Sequence, residues 1–341
     1  MTMENPRIFK PNRCILELTY NCNLKCRTCT IWERPKKWPG RENAPLSAEE
    51  IKLVQRSLKD AGINRITYLG GEPFLNPDIL DISQNAKSEG LSTAVVTNGT
   101  AITQDKIKNI VTDELFDIII FSIDGPEQIH DNIRGKNGTF KKAIETIKDI
   151  QKLKKSKKYS RPKIYFYCTV SSLNYNCLEE VFQLAQKLDA AALKFLSISC
   201  VTKNLIERTN SILKLPAIIT HSYSVESSLR IPEKELSRIS HTLNILNERA
   251  KIIGLKLIAE KFLMGEKSPK SCELLPRDFV ISAFGDIYPC PMLPELTTGN
   301  IRNTPLKELL AKSESQIDYI NNLSSARKLP VCGECCVEKL F

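Results

Sequence analysis

Six short apolar runs alternate with amphipathic stretches through the first two hundred residues, and this alternation limits the fold more than any other feature. The runs cover residues 14–20, 65–71, 92–99, 117–124, 163–170 and 192–199, and most end in Gly, Asn, Asp or Ser. They are rich in β-branched and aromatic residues and read as strands. Helical periodicity fills the gaps at 47–61, 77–89, 103–114, 139–155 and 176–188. The first helix opens with Ser47 and has Glu50 three residues later, the pattern of a capping box. Near-continuous apolar strands separated by helices imply a parallel sheet covered on both faces. Six such repeats predict an α/β fold, a partial (β/α)6 TIM-like barrel with its chemistry at the carboxyl ends of the strands.

The pattern changes near residue 200. Residues 201–232 read as irregular, carry Pro216 and Pro232, and serve either as a lid or as a surface connection. A helix is predicted over 233–253. From about 265 the chain is turn-rich and bears cysteines, which predicts a small domain held partly by metal. The expected division is therefore a barrel over 14–232, a connecting helix and strand over 233–264, and a cysteine-rich domain over 265–341.

No apolar run approaches the length of about 18 residues that a membrane-spanning helix needs. The first ten residues lack the apolar centre of a signal peptide. A cytoplasmic location with no membrane partner is the expectation, and thiols there stay reduced. Twelve cysteines then point to metal or catalysis rather than to disulfides. The formal charge is +10, and Lys148–Lys163 holds eight basic residues and one acidic residue. That segment reads first as a solvated helix end. Its sharper reading is a footprint for an acidic partner such as nucleic acid, a phosphorylated metabolite or an acidic peptide, and with Tyr159 as its only aromatic residue it offers little for single-strand stacking.

Cys22, Cys26 and Cys29 follow the first strand, with three residues between the first pair and two between the second. Structural zinc takes four closed ligands, and the next histidine is His130. Three thiolates suit an iron–sulfur cluster with one iron left for another ligand. This spacing resembles the signature of the radical S-adenosylmethionine (SAM) superfamily, in which SAM chelates that iron through its amino and carboxylate groups. Further motifs carry the resemblance at successive strand ends: Gly70-Gly71-Glu72-Pro73, then Thr97-Asn98-Gly99, then Ser122 to Gly125. The resemblance implies that the first motif meets the SAM amino group and that Ser122 and Asp124 lie near its ribose and methionine parts. It also implies that Arg134 pairs with the SAM carboxylate, a task suited to a bidentate guanidinium. Thr28 departs from the family, which often has an aromatic residue there, and Trp32 is the nearest substitute.

A second constellation comprises Cys272, Cys290, Cys332, Cys335 and Cys336. A zinc ribbon is the structural alternative, but it expects two CxxC pairs and only one is present. The arrangement is similar to the shortened SPASM domain, or twitch domain, which holds one auxiliary 4Fe–4S cluster. That resemblance implies Cys272, Cys290 and Cys332 as ligands, with Cys335 or Cys336 as the fourth; adjacent side chains in an extended segment point opposite ways. Cys14, Cys168, Cys177 and Cys200 read as small buried hydrophobes, with Cys168 and Cys200 as the weak candidates for a hydrogen-atom donor.

The family implies an enzyme that splits SAM reductively, takes electrons from a flavodoxin- or ferredoxin-type donor, and abstracts a hydrogen atom from substrate. The auxiliary cluster would accept the substrate's electron, for a net oxidation. Because thirteen residues precede the first strand, the expected substrate is a small polar metabolite such as a sugar, aminocyclitol or nucleotide-derived compound. Maturation of a ribosomal peptide is the alternative. A non-catalytic iron–sulfur protein that binds nucleic acid is the alternative of another class.

Overall fold

The computed structural model describes residues 11–33, 44–200, 202–213, 227–266, 277–291, 293–294, 296–324 and 329–333. Strand β1 (Arg13–Thr19) is buried along its whole length. Five βα repeats follow: β2 (Arg65–Gly70), β3 (Ser92–Thr97), β4 (Ile118–Ser122), β5 (Lys163–Val170) and β6 (Ala192–Ser197). Helices α1 (Ala48–Asp60), α2 (Ile79–Ser88), α3 (Gln104–Thr112), α4 (Glu127–Arg134), α5 (Thr139–Lys157) and α6 (Leu178–Lys187) connect them. Ser47 and Glu50 form the reciprocal capping box at the start of α1, a device worth about 1 kcal/mol.

All six strands run parallel, so their carboxyl ends share one edge. Alternate residues, among them Leu16, Tyr68, Phe121, Phe166 and Phe195, enter one large core beneath the helices. The other face carries a smaller cluster of Ile15, Val280 and Tyr288, with Leu69 against it. That face is the interior of the curved sheet.

The sheet extends at both ends beyond the six repeats. After α7 (Lys203–Leu213) and α8 (Leu236–Ile253), β7 (Lys256–Ala259) pairs parallel with β6. At the other end, β8 (Asp278–Ile281) pairs parallel with β1, and β9 (Asp286–Tyr288) and β10 (Gly299–Asn300) continue antiparallel. The strand order is β10-β9-β8-β1-β2-β3-β4-β5-β6-β7. The sheet is therefore open, and the C-terminal strands lie directly beside β1. Arg302 strengthens this seam, since its Nε and Nη2 donate to Glu50 at 2.5 and 2.9 Å. These bonds, more than the Ser47 cap, hold the Glu50 carboxyl down at about 2.

Three helices differ from the sequence expectation. α7 occupies part of the stretch read as irregular, and α4 lies in a segment read only for its arginine. α9 (Leu306–Ser324) crosses a region read as turn-rich. Its buried positions include Leu306, Leu309, Ser313 and Ile317. Ser313 breaks the apolar stripe; its hydroxyl is satisfied by the Leu309 carbonyl at 2.8 Å. A helix whose buried face includes a serine hides its period. Among the described residues no helix is long and apolar enough to cross a membrane.

Candidate functional site

The loop bearing Cys22, Cys26 and Cys29 leaves the carboxyl end of β1, and three elements hold it. The first is the end of β2. Gly71 N–H donates to the Thr19 carbonyl at 2.6 Å and Glu72 N–H to the Asn21 carbonyl at 2.9 Å. A Cβ on Gly70 would stand 2.2 Å from the Thr19 oxygen, and one on Gly71 2.2 Å from the Asn21 oxygen. Only glycine, with no Cβ, permits so close an approach. The backbone that approaches them is the protein's own, on the two residues before Cys22 and on Thr19.

The second is the end of β3. The buried Glu72 carboxylate accepts from Thr97 Oγ1 at 2.7 Å, Asn98 N at 2.8 Å and Phe74 N at 3.1 Å. Burial pushes its pKa up against these donors. Pro73 opens the short 3-10 turn Pro73–Leu75 that Glu72 caps. Asn98 Nδ2 then donates to Asn23 Oδ1 at 3.0 Å, inside the cysteine loop. Asn23 carries no motif of its own in the sequence, although it sits between Cys22 and Cys26.

The third is the C-terminal turn of α4. Arg27 N–H donates to the Ile133 carbonyl at 2.9 Å. Gly135, at φ +69°, lies where a Cβ would meet the Lys25 oxygen at 2.8 Å. Arg134 reaches in two directions: Nη2 lies 2.6 Å from Asp124 Oδ2, and Nη1 lies 3.8 Å from Cys26 Sγ. The Nη2 contact is an ion pair without hydrogen-bond alignment, so buried Asp124 Oδ2 and Arg134 Nε both lack hydrogen-bond partners. Asp124 Oδ1 accepts from Thr169 N at 3.1 Å, and the Asp124 carbonyl accepts from Asn174 Nδ2 at 2.8 Å. Asp124 N–H donates to His130 Nδ1 at 3.2 Å. Burial lowers the His130 pKa to about 4, so the ring is neutral near pH 7 and carries its proton on Nε2. His130 and Asn174 fix Asp124, and nothing local in the sequence marks either one. Ser122 stands half-buried at the end of β4, paired with Tyr167.

The three thiols are neighbours: Cys26 raises the pKa of Cys22, and both raise that of Cys29. Burial pushes Cys22 up to about 11 and Cys29 up to about 12, and it raises Cys26 against the pull of Arg134. Thiols held protonated in this way release protons when they take up metal. Among the described residues no three Cys, His, Asp or Glu side chains converge on one ion. A cluster, whose irons occupy separate corners, needs no such convergence. Arg134 Nε, buried and without a hydrogen-bond partner, matches an anionic group such as the SAM carboxylate, while the Oδ2–Nη2 ion pair to Asp124 holds the guanidinium in place. The residues present therefore fit the cluster and SAM. Trp32 folds back on the loop, its Nε1–H donating to the Cys29 carbonyl at 3.0 Å.

The family model for the radical SAM superfamily matches residues 16–185, the stretch that builds this site. A second model, SPASM, described as an iron-sulfur cluster-binding domain, matches residues 272–336. The chain belongs to the radical SAM superfamily. Radical SAM relatives include an AdoMet-dependent heme synthase of Nitratidesulfovibrio vulgaris, 26% identical over 94% of this chain and 85% of that protein. The subtilosin biosynthesis protein AlbA of Bacillus subtilis is 26% identical over 85% of this chain and 57% of its own length. In structure, Streptococcus suis SuiB bound to SAM superposes with a TM-score of 0.69 at 13% identity, over 96% of this chain and 72% of that one. This last likeness is one of fold. The chain is thus a radical SAM enzyme whose domains imply a 4Fe–4S cluster, SAM and an auxiliary iron–sulfur cluster.

Of the radical SAM enzyme's C-terminal cysteines, Cys272, Cys335 and Cys336 lie outside the described residues. Cys290 is half-buried just after β9. Cys332 lies on the short helix α10 (Pro330–Gly333), which packs on α7. Cys168 belongs with Phe166 and Val170 to the core beneath the helices, not to the interior face. Cys200 packs with Ile198 and Leu229 beyond β6. The lysines of Lys148–Lys163 lie where α5 ends and β5 begins, at the opposite end of the strands from the cysteine loop. β5 alone spans about 26 Å over its eight residues.

Proposed function

We propose that this radical SAM enzyme cleaves SAM reductively and acts on a peptide, with Cys22, Cys26 and Cys29 holding the cluster. One observation carries the first part: two strand-end motifs and α4 converge by hydrogen bonds on the loop that bears those cysteines. When bound, the cluster supplies the electron that splits SAM into methionine and a 5′-deoxyadenosyl radical. The chain's own residues orient and shield. Arg134 presents Nε, left without a hydrogen-bond partner, toward an anionic group, and Asp124 holds the guanidinium through its Oδ2–Nη2 ion pair. Neutral His130 and Asn174 keep Asp124 from turning away. Their burial excludes water from the charged pair.

A peptide substrate is supported over a small polar metabolite by the relatives. AlbA is named for bacteriocin biosynthesis and aligns across most of the chain. A PqqA peptide cyclase of Bradyrhizobium diazoefficiens is 24% identical over 55% of this chain. The sheet is open between β10 and β7 among the described residues, an arrangement compatible with a long substrate. One observation favours a second reading, a porphyrin: relatives named heme synthases align over 94% of the chain.

Anaerobic reconstitution with iron and sulfide, followed by dithionite and SAM, tests the reading. Formation of 5′-deoxyadenosine is expected, and its absence under all conditions removes the SAM assignment. A candidate precursor peptide should accelerate that release and change in mass. Acceleration by an iron porphyrin, with no peptide active, selects the second reading.

A further inference from the structure

One carboxylate oxygen ties the two cysteine-bearing segments together. Tyr20 Oη donates to Glu17 Oε2 at 2.7 Å, and Tyr288 Oη donates to the same Oε2 at 2.8 Å. All three side chains are buried: Glu17 is 7% exposed, Tyr20 5% and Tyr288 1%. Tyr20 precedes Cys22 by two residues, and Tyr288 precedes Cys290 by two. Two residues of extended chain span at most about 7 Å, so each hydroxyl anchors the chain close to its cysteine. The Tyr20 ring also packs on Phe284, with centroids 5.6 Å apart. Below Glu17 the two segments are joined by the β1–β8 ladder and by the Arg13–Asp278 ion pair, whose Nε–Oδ1 bond is 2.9 Å.

Fold stability alone does not call for this arrangement. Burying a carboxylate is costly, and an apolar trio of similar volume is often as stable. A tyrosine–carboxylate–tyrosine bridge supplies what an apolar trio lacks, a fixed distance and direction between two backbones. We infer that Glu17 is a positioning residue that sets the separation of the SAM-site cluster from the auxiliary cluster. The inference rests on the reading of Cys22, Cys26 and Cys29 as ligands of the first cluster and Cys290 as a ligand of the second. It assigns the link to β1 itself, the strand from which the SAM-site loop departs.

The test uses the full-length protein, reconstituted anaerobically and reduced with dithionite, with EPR and iron content as readouts. In the wild type, the two reduced clusters are expected to broaden each other's signals, and Cys290→Ala supplies the unbroadened reference with less iron. Glu17→Ala should keep wild-type iron yet lose the broadening. Glu17→Gln should retain it, because the amide oxygen can still accept both hydroxyls. Full iron with unchanged broadening in Glu17→Ala overturns the inference, as does a wild type with both clusters and no broadening. If Glu17→Ala loses iron, Tyr20→Phe and Tyr288→Phe decide, since each deletes one hydroxyl: reduced broadening at full iron supports the bridge, and wild-type broadening overturns it. If Cys290→Ala keeps all the wild-type iron, the ligand reading fails first and takes this inference with it.

Discussion

Gly71→Ala separates a ligand's need for glycine from the protein's own need. The new Cβ would stand 2.2 Å from the Asn21 oxygen, 2.6 Å from its carbon and 2.8 Å from the Tyr20 oxygen. All three atoms are backbone, so no flexible side chain can give way. Ordinary contact begins at 3.4 Å, so the two segments must part by 3.4 − 2.2 = 1.2 Å. Adding 1.2 Å stretches the Gly71–Thr19 bond from 2.6 to 3.8 Å and the Glu72–Asn21 bond from 2.9 to 4.1 Å. Both are then lost, at about 1 kcal/mol each, and overpacking adds about 1–3 kcal/mol. Asn21 adjoins Cys22, so the cluster loop moves by a similar amount. A misplacement of about 1 Å costs on the order of 100-fold in rate. The assay is 5′-deoxyadenosine release under dithionite, normalised to iron content, and a drop of about two orders of magnitude is expected. Gly62→Ala is the control: it introduces a positive-φ strain, at φ +78°, but its Cβ meets nothing within 4 Å, so its rate should match wild type. A wild-type rate in Gly71→Ala would refute the reasoning.

Three further outcomes follow from the same geometry. Arg134→Lys loses the fork that spans Asp124 and Cys26; SAM affinity measured by equilibrium dialysis should fall by about 1.5–3 kcal/mol with iron content unchanged. In Glu72→Gln the amide offers one acceptor oxygen where three donors converge, and its NH2 faces an N–H. The urea midpoint of the apoprotein should drop, corresponding to about 3 kcal/mol, whereas an unchanged midpoint would show that the network is dispensable. The pKa of His130 is lowered to about 4 by burial, so the folded state binds fewer protons there than the unfolded chain, whose histidine titrates near about 6.5. Its contribution is fully present above that value and is lost as pH falls toward 4. His130→Gln should flatten that part of the stability profile, read by denaturant titration from pH 7 to pH 4.

Much of the barrel was legible because each element answers to a local rule. The strand of residues 163–170 appears with those bounds, since a β-branched and aromatic run between a helix end and a turn has few alternatives. α9 was not legible, because its buried Ser313 donates its hydrogen bond to the preceding turn of the same helix. The candidate site was legible as a set of motifs but not as a mechanism of support. Gly70 and Gly71 announce a close approach; only the packed chain shows that the Thr19–Asn21 backbone fills the space. His130 and Asn174 carry no local signal, since their partner Asp124 is six residues away in one case and fifty in the other.

By itself, then, the sequence determined the parallel α/β frame and the cysteine triplet at the end of its first strand. Both follow from period and spacing over a few residues. The tertiary structure decided what surrounds that triplet and what lies beside it. β8 pairs with β1, and Glu17 receives Tyr288 across 271 positions of chain. No local pattern encodes such a partner, because a buried carboxylate seeks whatever donor the fold carries within hydrogen-bond reach.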